Sequence, residues 1–95
     1  MSEVAVVIGG GQTLGAFLAK GLAEAGYRVA VADLKGENAR KVASEINAEY
    51  GADRAVGFEV DATDEASVIA LAGNIDKVFK QVNVMIYSAG MAKAS

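Results

Sequence analysis

The chain of 95 residues has no cysteine, no histidine, no proline and no tryptophan. Without cysteine there are no disulfides and no thiolate metal sites, and without histidine the commonest metal ligand and the commonest general base are both missing. Carboxylates remain as metal ligands. No proline-rich, low-complexity or linker-like stretch divides the sequence, so a single unit is expected. No apolar run approaches the roughly 18 residues of a membrane span. The start, "MSEVAVVIGGG", lacks the basic region and small-residue cleavage site of a secretory signal, which makes the cytoplasm the expected address. Positive charge is scarce too: 9 Lys and Arg stand against 12 Asp and Glu, a net charge of −3. With no basic run, neither nucleic acid nor a membrane surface is expected as a partner.

What is there is apolar and ordered: 53% hydrophobic and 22% charged residues, with 11 glycines, the balance of a globular domain. Apolar runs alternate with amphipathic stretches. "VAVVI" (Val4 to Ile8) is a continuous β-branched run, suited to a strand buried on both faces. From Thr13 the period changes, and Leu14, Phe17, Leu18, Leu22 and Ala25 fall on one expected helix face, stopped by Gly26. "YRVAVAD" (Tyr27 to Asp33) reads as the second strand. Ala39, Val42, Ala43, Ile46 and Tyr50 line a second helix closed by Gly51. "AVGFEV" (Ala55 to Val60) is the third strand, with Gly57 as its weak point. Val68, Leu71, Ala72, Ile75, Val78 and Phe79 mark a third helix with Thr63 or Asp64 as N-cap. Gly73 inside it costs about 1 kcal/mol against alanine. "VNVMIY" (Val82 to Tyr87) is the fourth strand. The order β-α-β-α-β-α-β predicts an α/β fold: a parallel sheet with right-handed crossovers, the first half of a doubly wound domain with strand order 3-2-1-4.

The glycines of "IGGGQTLG" sit between the first strand and the first helix, at the sheet edge where such folds meet their ligands. A helix N-terminus there presents unsatisfied N–H groups and the positive end of its dipole to a pyrophosphate. A side chain at the turn would hold the phosphates away, and glycine also permits positive φ. Gly9, Gly11 and Gly15 are spaced G-x-G-x-x-x-G, which differs from the commonest dinucleotide fingerprint, and no P-loop lysine follows. Asp33 ends the second strand 24 residues after Gly9, close to the interval for a carboxylate that takes the adenosine ribose hydroxyls. Such a carboxylate repels a 2′-phosphate and so favours NAD. The competing readings are NADP held by Lys35 and Arg40, and an ordinary strand-end aspartate at position 33. Asp61, after the third strand, is placed either to meet the adenine amino group or to cap the third helix. Ser88, Ala89 and Gly90 are small residues at the same edge, fit for close approach of a ring or ribose or simply for a tight turn.

These residues carry a resemblance. "IGGGQTLG", "DATD" and "YSAG" are similar to the opening glycine motif, the Asp-x-Thr-Asp-like element and the Asn-Asn-Ala-Gly element of the short-chain dehydrogenase/reductase family, over the whole chain. Ile8 stands for a threonine, Thr13 for a glycine, and Tyr87 and Ser88 for the two asparagines. The resemblance implies a Rossmann-type domain, NAD as cofactor, a sugar phosphate as the small-molecule substrate, and a homo-oligomer. It assigns Gly9, Gly11, Thr13, Leu14 and Gly15 to the pyrophosphate turn, Asp33 to the ribose, Asp61 and Ala62 to the adenine side, and Ala89 and Gly90 to the nicotinamide-side ribose.

The family's acid–base pair, a tyrosine with a lysine four residues later, does not occur. Tyr27 is followed at that interval by Val31, Tyr50 by Arg54 and Tyr87 by Met91. The chain is therefore expected to be the cofactor-binding N-terminal part of a longer enzyme, without catalytic residues of its own. The alternative is a non-catalytic module that binds a nucleotide or itself, and a purely structural α/β layer is the blandest reading. A sheet ending at the fourth strand exposes an unpaired edge and a bare face. Association through them is expected in sedimentation, as a weight-average mass that rises with concentration. A single monomer boundary at all concentrations would overturn it.

Overall fold

The computed structural model describes residues 3–9, 11 and 13–87 of the chain. Seven elements follow one another: β1 (Val4–Ile8), α1 (Thr13–Glu24), β2 (Arg28–Asp33), α2 (Gly36–Tyr50), β3 (Ala55–Glu59), α3 (Glu65–Phe79) and β4 (Val84–Tyr87). The four strands form one parallel sheet in the order β3-β2-β1-β4, as the alternation of the sequence predicts. Ile8 stands beside Ala32, and Ala32 beside Phe58, so β1, β2 and β3 all run out at one edge.

The β-branched runs go where both faces are covered. All of β1 is buried, as are the last five residues of β2. Val7, Val29 and Val31 meet Ala19 and Ala23 of α1 and Ala39, Val42, Ala43 and Ile46 of α2 on one face. Val4, Val6, Ile8, Ala30 and Ala32 meet Leu71, Ile75 and Phe79 of α3 on the other. Each large aliphatic side chain so buried contributes about 1.5–3 kcal/mol.

Helix α1 departs from its expected face. Ala19 and Ala23 are fully buried and Gly15 is buried with them, whereas Leu14 is 53% and Phe17 74% exposed. Positions 15, 19 and 23 form a row of small residues that brings the helix axis close to the sheet, so that Leu14 and Phe17 are turned outward while Leu22 is half-buried at the margin of the core. The helix ends in a Schellman arrangement: Gly26, at φ 105°, donates to the Ala23 carbonyl and Tyr27 to that of Leu22. That last bond keeps Tyr27 out of the strand, and β2 starts one residue later than the sequence pattern suggests. In α3 the covered stripe is narrower than expected, since Ala72 is exposed and Val78 is 43% exposed.

The expected fourth strand begins two residues late, because the Asn83 side chain takes over part of the ladder. Its Oδ1 accepts from the Val4 N–H at 2.9 Å while its own N–H donates to the Val4 carbonyl at 2.8 Å. Register puts Met85 beside Val6 and Tyr87 beside Ile8, hence on the α3 face. α3 does not reach them, and they are 60% and 47% exposed.

Gly57 is a contact point where the sequence suggested a weak point. A Cβ on it would lie 2.6 Å from the Arg40 N and Cα and 2.7 Å from the Ala39 carbonyl carbon, so the backbone of α2 rests directly on β3 there. Around Gly73, by contrast, the space is open. Gly57→Ala is expected to destabilise the chain by about 1–3 kcal/mol or more through overpacking, and Gly73→Ala to stabilise it by up to about 1 kcal/mol. Denaturant unfolding of the two variants checks both signs.

Candidate functional site

The glycine turn continues the sheet before it becomes a loop. Gly9, directly after β1, adopts φ 86°, a conformation suited to glycine, and its N–H donates to the Ala32 carbonyl at 2.7 Å. The Gly11 N–H donates to Asp33 Oδ2 at 3.0 Å. These two N–H groups are thus engaged within the protein, and Thr13, Leu14 and Gly15 follow in the first turn of α1, the place in a helix where backbone N–H groups are not committed to the intrahelical ladder. The Leu14 side chain is largely solvent-exposed.

Asp33 is the buried charged residue among those described, 4% exposed. Its second oxygen, Oδ1, accepts from the Lys35 N–H at 3.0 Å. The carboxylate therefore clasps the glycine turn to the start of α2, each oxygen keeping a lone pair for a further donor. Lys35, at the N-cap of α2, and Arg40, whose Nη1 lies 2.9 Å from where a Cβ on Gly36 would sit, share this corner. A Cβ on Gly11 would fall 2.9 Å from Asn38 Cβ and 3.0 Å from the Ala39 N, so the turn is packed against the first turn of α2 as well as bonded to Asp33. Asn38 and Ala39 carry no sequence signal for this role; the only hint was a glycine in the middle of β3.

Asp61 lies just beyond β3 at the same edge. Its Oδ1 accepts from the Thr63 hydroxyl at 2.6 Å and the Thr63 N–H at 3.0 Å, and its own N–H donates to Ser67 Oγ at 2.9 Å. The hydroxyl and amide of Thr63 hold the Asp61 carboxyl below its ordinary value. Capping of α3 falls to Asp64, whose side chain accepts from the Ala66 N–H at 3.2 Å. Of the two sequence candidates for the cap, Thr63 is excluded from it, and Asp61 is not needed there. Ala62 follows, half-buried against the α3-side core. Ala89 and Gly90 lie outside the described residues. Among the described residues no group of three or more acidic side chains is placed to hold a metal ion, and no helix is long and apolar enough to cross a membrane.

The family described as short chain dehydrogenase matches residues 3–95. The sorbitol-6-phosphate 2-dehydrogenase of Escherichia coli is 60% identical over all 95 residues, which span 37% of that protein's length. The D-threitol dehydrogenase of Mycolicibacterium smegmatis is 36% identical over 91 residues, 96% of this chain and 34% of that one. The crystal structure of the Erwinia amylovora sorbitol-6-phosphate 2-dehydrogenase superposes with a TM-score of 0.88 at 64% identity, covering 88% of this chain and 33% of that one.

The lowered Asp61 carboxyl ties stability to pH. A carboxyl whose value is lower folded than unfolded stabilises the fold fully above the unfolded value, about 3.9 for aspartate; this contribution is lost as the pH falls through the lowered folded value. The stability difference between the parent chain and Asp61→Asn is expected to be constant at neutral pH and to shrink below about pH 4. Denaturant titrations of both at pH 7 and pH 3 check it, and an unchanged difference would contradict the Thr63 contact.

Proposed function

The chain belongs to the short-chain dehydrogenase family, whose members use NAD(P) as hydride carrier, and from that premise we propose that it is the cofactor-binding half of an NAD-dependent oxidoreductase. The observation that carries this reading is the buried Asp33 carboxylate, bonded to the glycine turn at the end of the central strands. The residues present fit a dinucleotide: a close-packed turn where a side chain at Gly11 would collide, a helix N-terminus beyond it, and a carboxylate beside both.

The family resemblance supplies the assignments, and at the described residues the local chemistry supports them. Gly9 turns the chain at positive φ and Gly11 keeps the turn bare. The first-turn N–H groups of Thr13, Leu14 and Gly15 then face the pyrophosphate. The free lone pairs of Asp33 accept from the adenosine ribose hydroxyls, and its charge disfavours a 2′-phosphate despite Lys35 and Arg40 nearby. Both intramolecular bonds to the Asp61 side chain fall on Oδ1, which leaves Oδ2 for the adenine amino group, with Ala62 on the same side. Ala89 and Gly90 take the nicotinamide-side ribose. The bound cofactor supplies the hydride acceptor; the chain supplies position and electrostatics. Similarity to the sorbitol-6-phosphate 2-dehydrogenases supports D-sorbitol 6-phosphate oxidised to D-fructose 6-phosphate as the reaction of the whole cytoplasmic, homo-oligomeric enzyme. The acid–base tyrosine and lysine are then supplied outside these 95 residues. A second reading, a self-associating module, is favoured by the exposed Met85 and Tyr87 on the edge strand.

Calorimetric titration tests the proposal. Saturable binding of NAD is expected, weaker binding of NADP, and a loss of about ten- to a hundredfold in Asp33→Asn, the scale of a hydrogen bond to a charged group. A folded chain that binds neither nucleotide would overturn it and leave assembly as the function of this part.

A further inference from the structure

Two glycines, one in β3 and one in the turn after β1, press on the same turn of α2. Gly57 of β3 meets the backbone of Ala39 and Arg40, with a Cβ there falling 2.6–2.7 Å from their atoms. Gly11 meets Asn38 Cβ and the Ala39 N, at 2.9 and 3.0 Å from where its own Cβ would be. Residues 38–40 are thus wedged between the sheet and the cofactor turn. The Asn38 and Ala39 N–H groups bond to the Lys35 carbonyl, and the Lys35 N–H bonds to Asp33. The wedge and the carboxylate form one closed loop of contacts around Gly11: Gly57 to residues 39 and 40, Ala39 to Gly11, Gly11 to Asp33, Asp33 to Lys35, Lys35 to Ala39. Close-packed backbone has no flexible side chain to absorb a shift, so movement at Gly57 is transmitted rather than dissipated.

We propose that Gly57 and Ala39 are positioning residues for the nucleotide site: β3, through the first turn of α2, sets the place of Gly11 and so the tightness of the cofactor turn. This rests on the dinucleotide reading for its functional consequence, while the mechanical coupling stands on the contacts alone. It also gives the bare position in β3 a purpose beyond packing.

Ala39 and Ala43 make a matched pair for the test. Both are buried alanines of α2, one helical turn apart, and both pack in the same core cluster. Alanine to glycine at either place carries a similar helix-propensity cost, but only at Ala39 does the loosened backbone include the N and carbonyl carbon that border Gly11 and Gly57. Amide hydrogen exchange of Gly11, whose N–H is held by Asp33, is read in the chain without nucleotide for Ala39→Gly, Ala43→Gly and Gly57→Ala, together with NAD affinity. Relative to the most slowly exchanging amides of β1, exchange at Gly11 is expected to quicken about tenfold or more in Ala39→Gly and Gly57→Ala and to keep its ratio in Ala43→Gly. NAD affinity should fall in the same two variants. If Gly57→Ala does not fold, the Ala39/Ala43 comparison decides alone. Equal behaviour of the two alanine variants at Gly11 would overturn the coupling. Altered exchange with no nucleotide binding in any chain, the parent included, would uphold the coupling and remove the dinucleotide reading instead.

Discussion

The clasp made by the Asp33 carboxylate joins the parts of this molecule that the sheet alone leaves separate. A parallel sheet aligns the ends of its strands but does not dictate what the loops beyond them do. Here one buried side chain, at the end of β2, accepts one N–H from the loop after β1 and one from the loop before α2. Burying a carboxylate is costly unless its lone pairs are engaged, and these two backbone donors make the burial tolerable. The same engagement fixes the glycine turn relative to the start of α2, so the local stability and the geometry of this corner depend on the same group.

Around that clasp the packing is unusually close because side chains have been omitted. Gly11 and Gly57 let backbone approach α2 from two directions, and the row Gly15, Ala19 and Ala23 lets α1 settle on the sheet. At the opposite end of the strands the joints are polar. Asn47 Oδ1 accepts from the Arg54 and Ala55 N–H groups and its Nδ2 donates to the Ala55 carbonyl. Arg54 in turn donates to the carbonyls of Ala23 and Tyr27. One end of the sheet is therefore locked by side-chain amide and guanidinium groups, while the ligand end is locked by close backbone contact and one carboxylate. The ion pair between α1 and α2, Lys20 with Glu45 at 2.7 Å, is solvent-exposed and adds little.

The molecule is also asymmetric about its sheet. Two helices cover one face, one covers the other, and β4 is the strand left least protected among those described. Phe17 and Leu14 on the outer side of α1 and Met85 and Tyr87 on β4 present apolar surface to solvent. The relatives it matches are about three times longer, since the chain spans 37% of the Escherichia coli protein and 33% of the Erwinia amylovora one.

The order of residues is enough for the architecture, and it singles out the carboxylate that the fold buries beside the glycine turn. Strict alternation of β-branched runs with helical periods leaves a parallel doubly wound sheet as the economical solution, and the interval from the glycine run to Asp33 marks two segments that lie together at its edge. Tertiary structure alone decided which apolar face of α1 goes inward: periodicity ranks the larger stripe first, whereas the sheet selects the smaller one because it permits closer approach. It also decided that Gly57 is a contact and not a defect, that Asp64 caps α3 while Asp61 braces Thr63, and that Asn38 and Ala39 support the glycine turn. The choices at α1, Gly57 and Asn38 depend on which surfaces meet across long sequence separations, which no local pattern encodes; the choice among Asp61, Thr63 and Asp64 is local and turns on how the loop before α3 is folded.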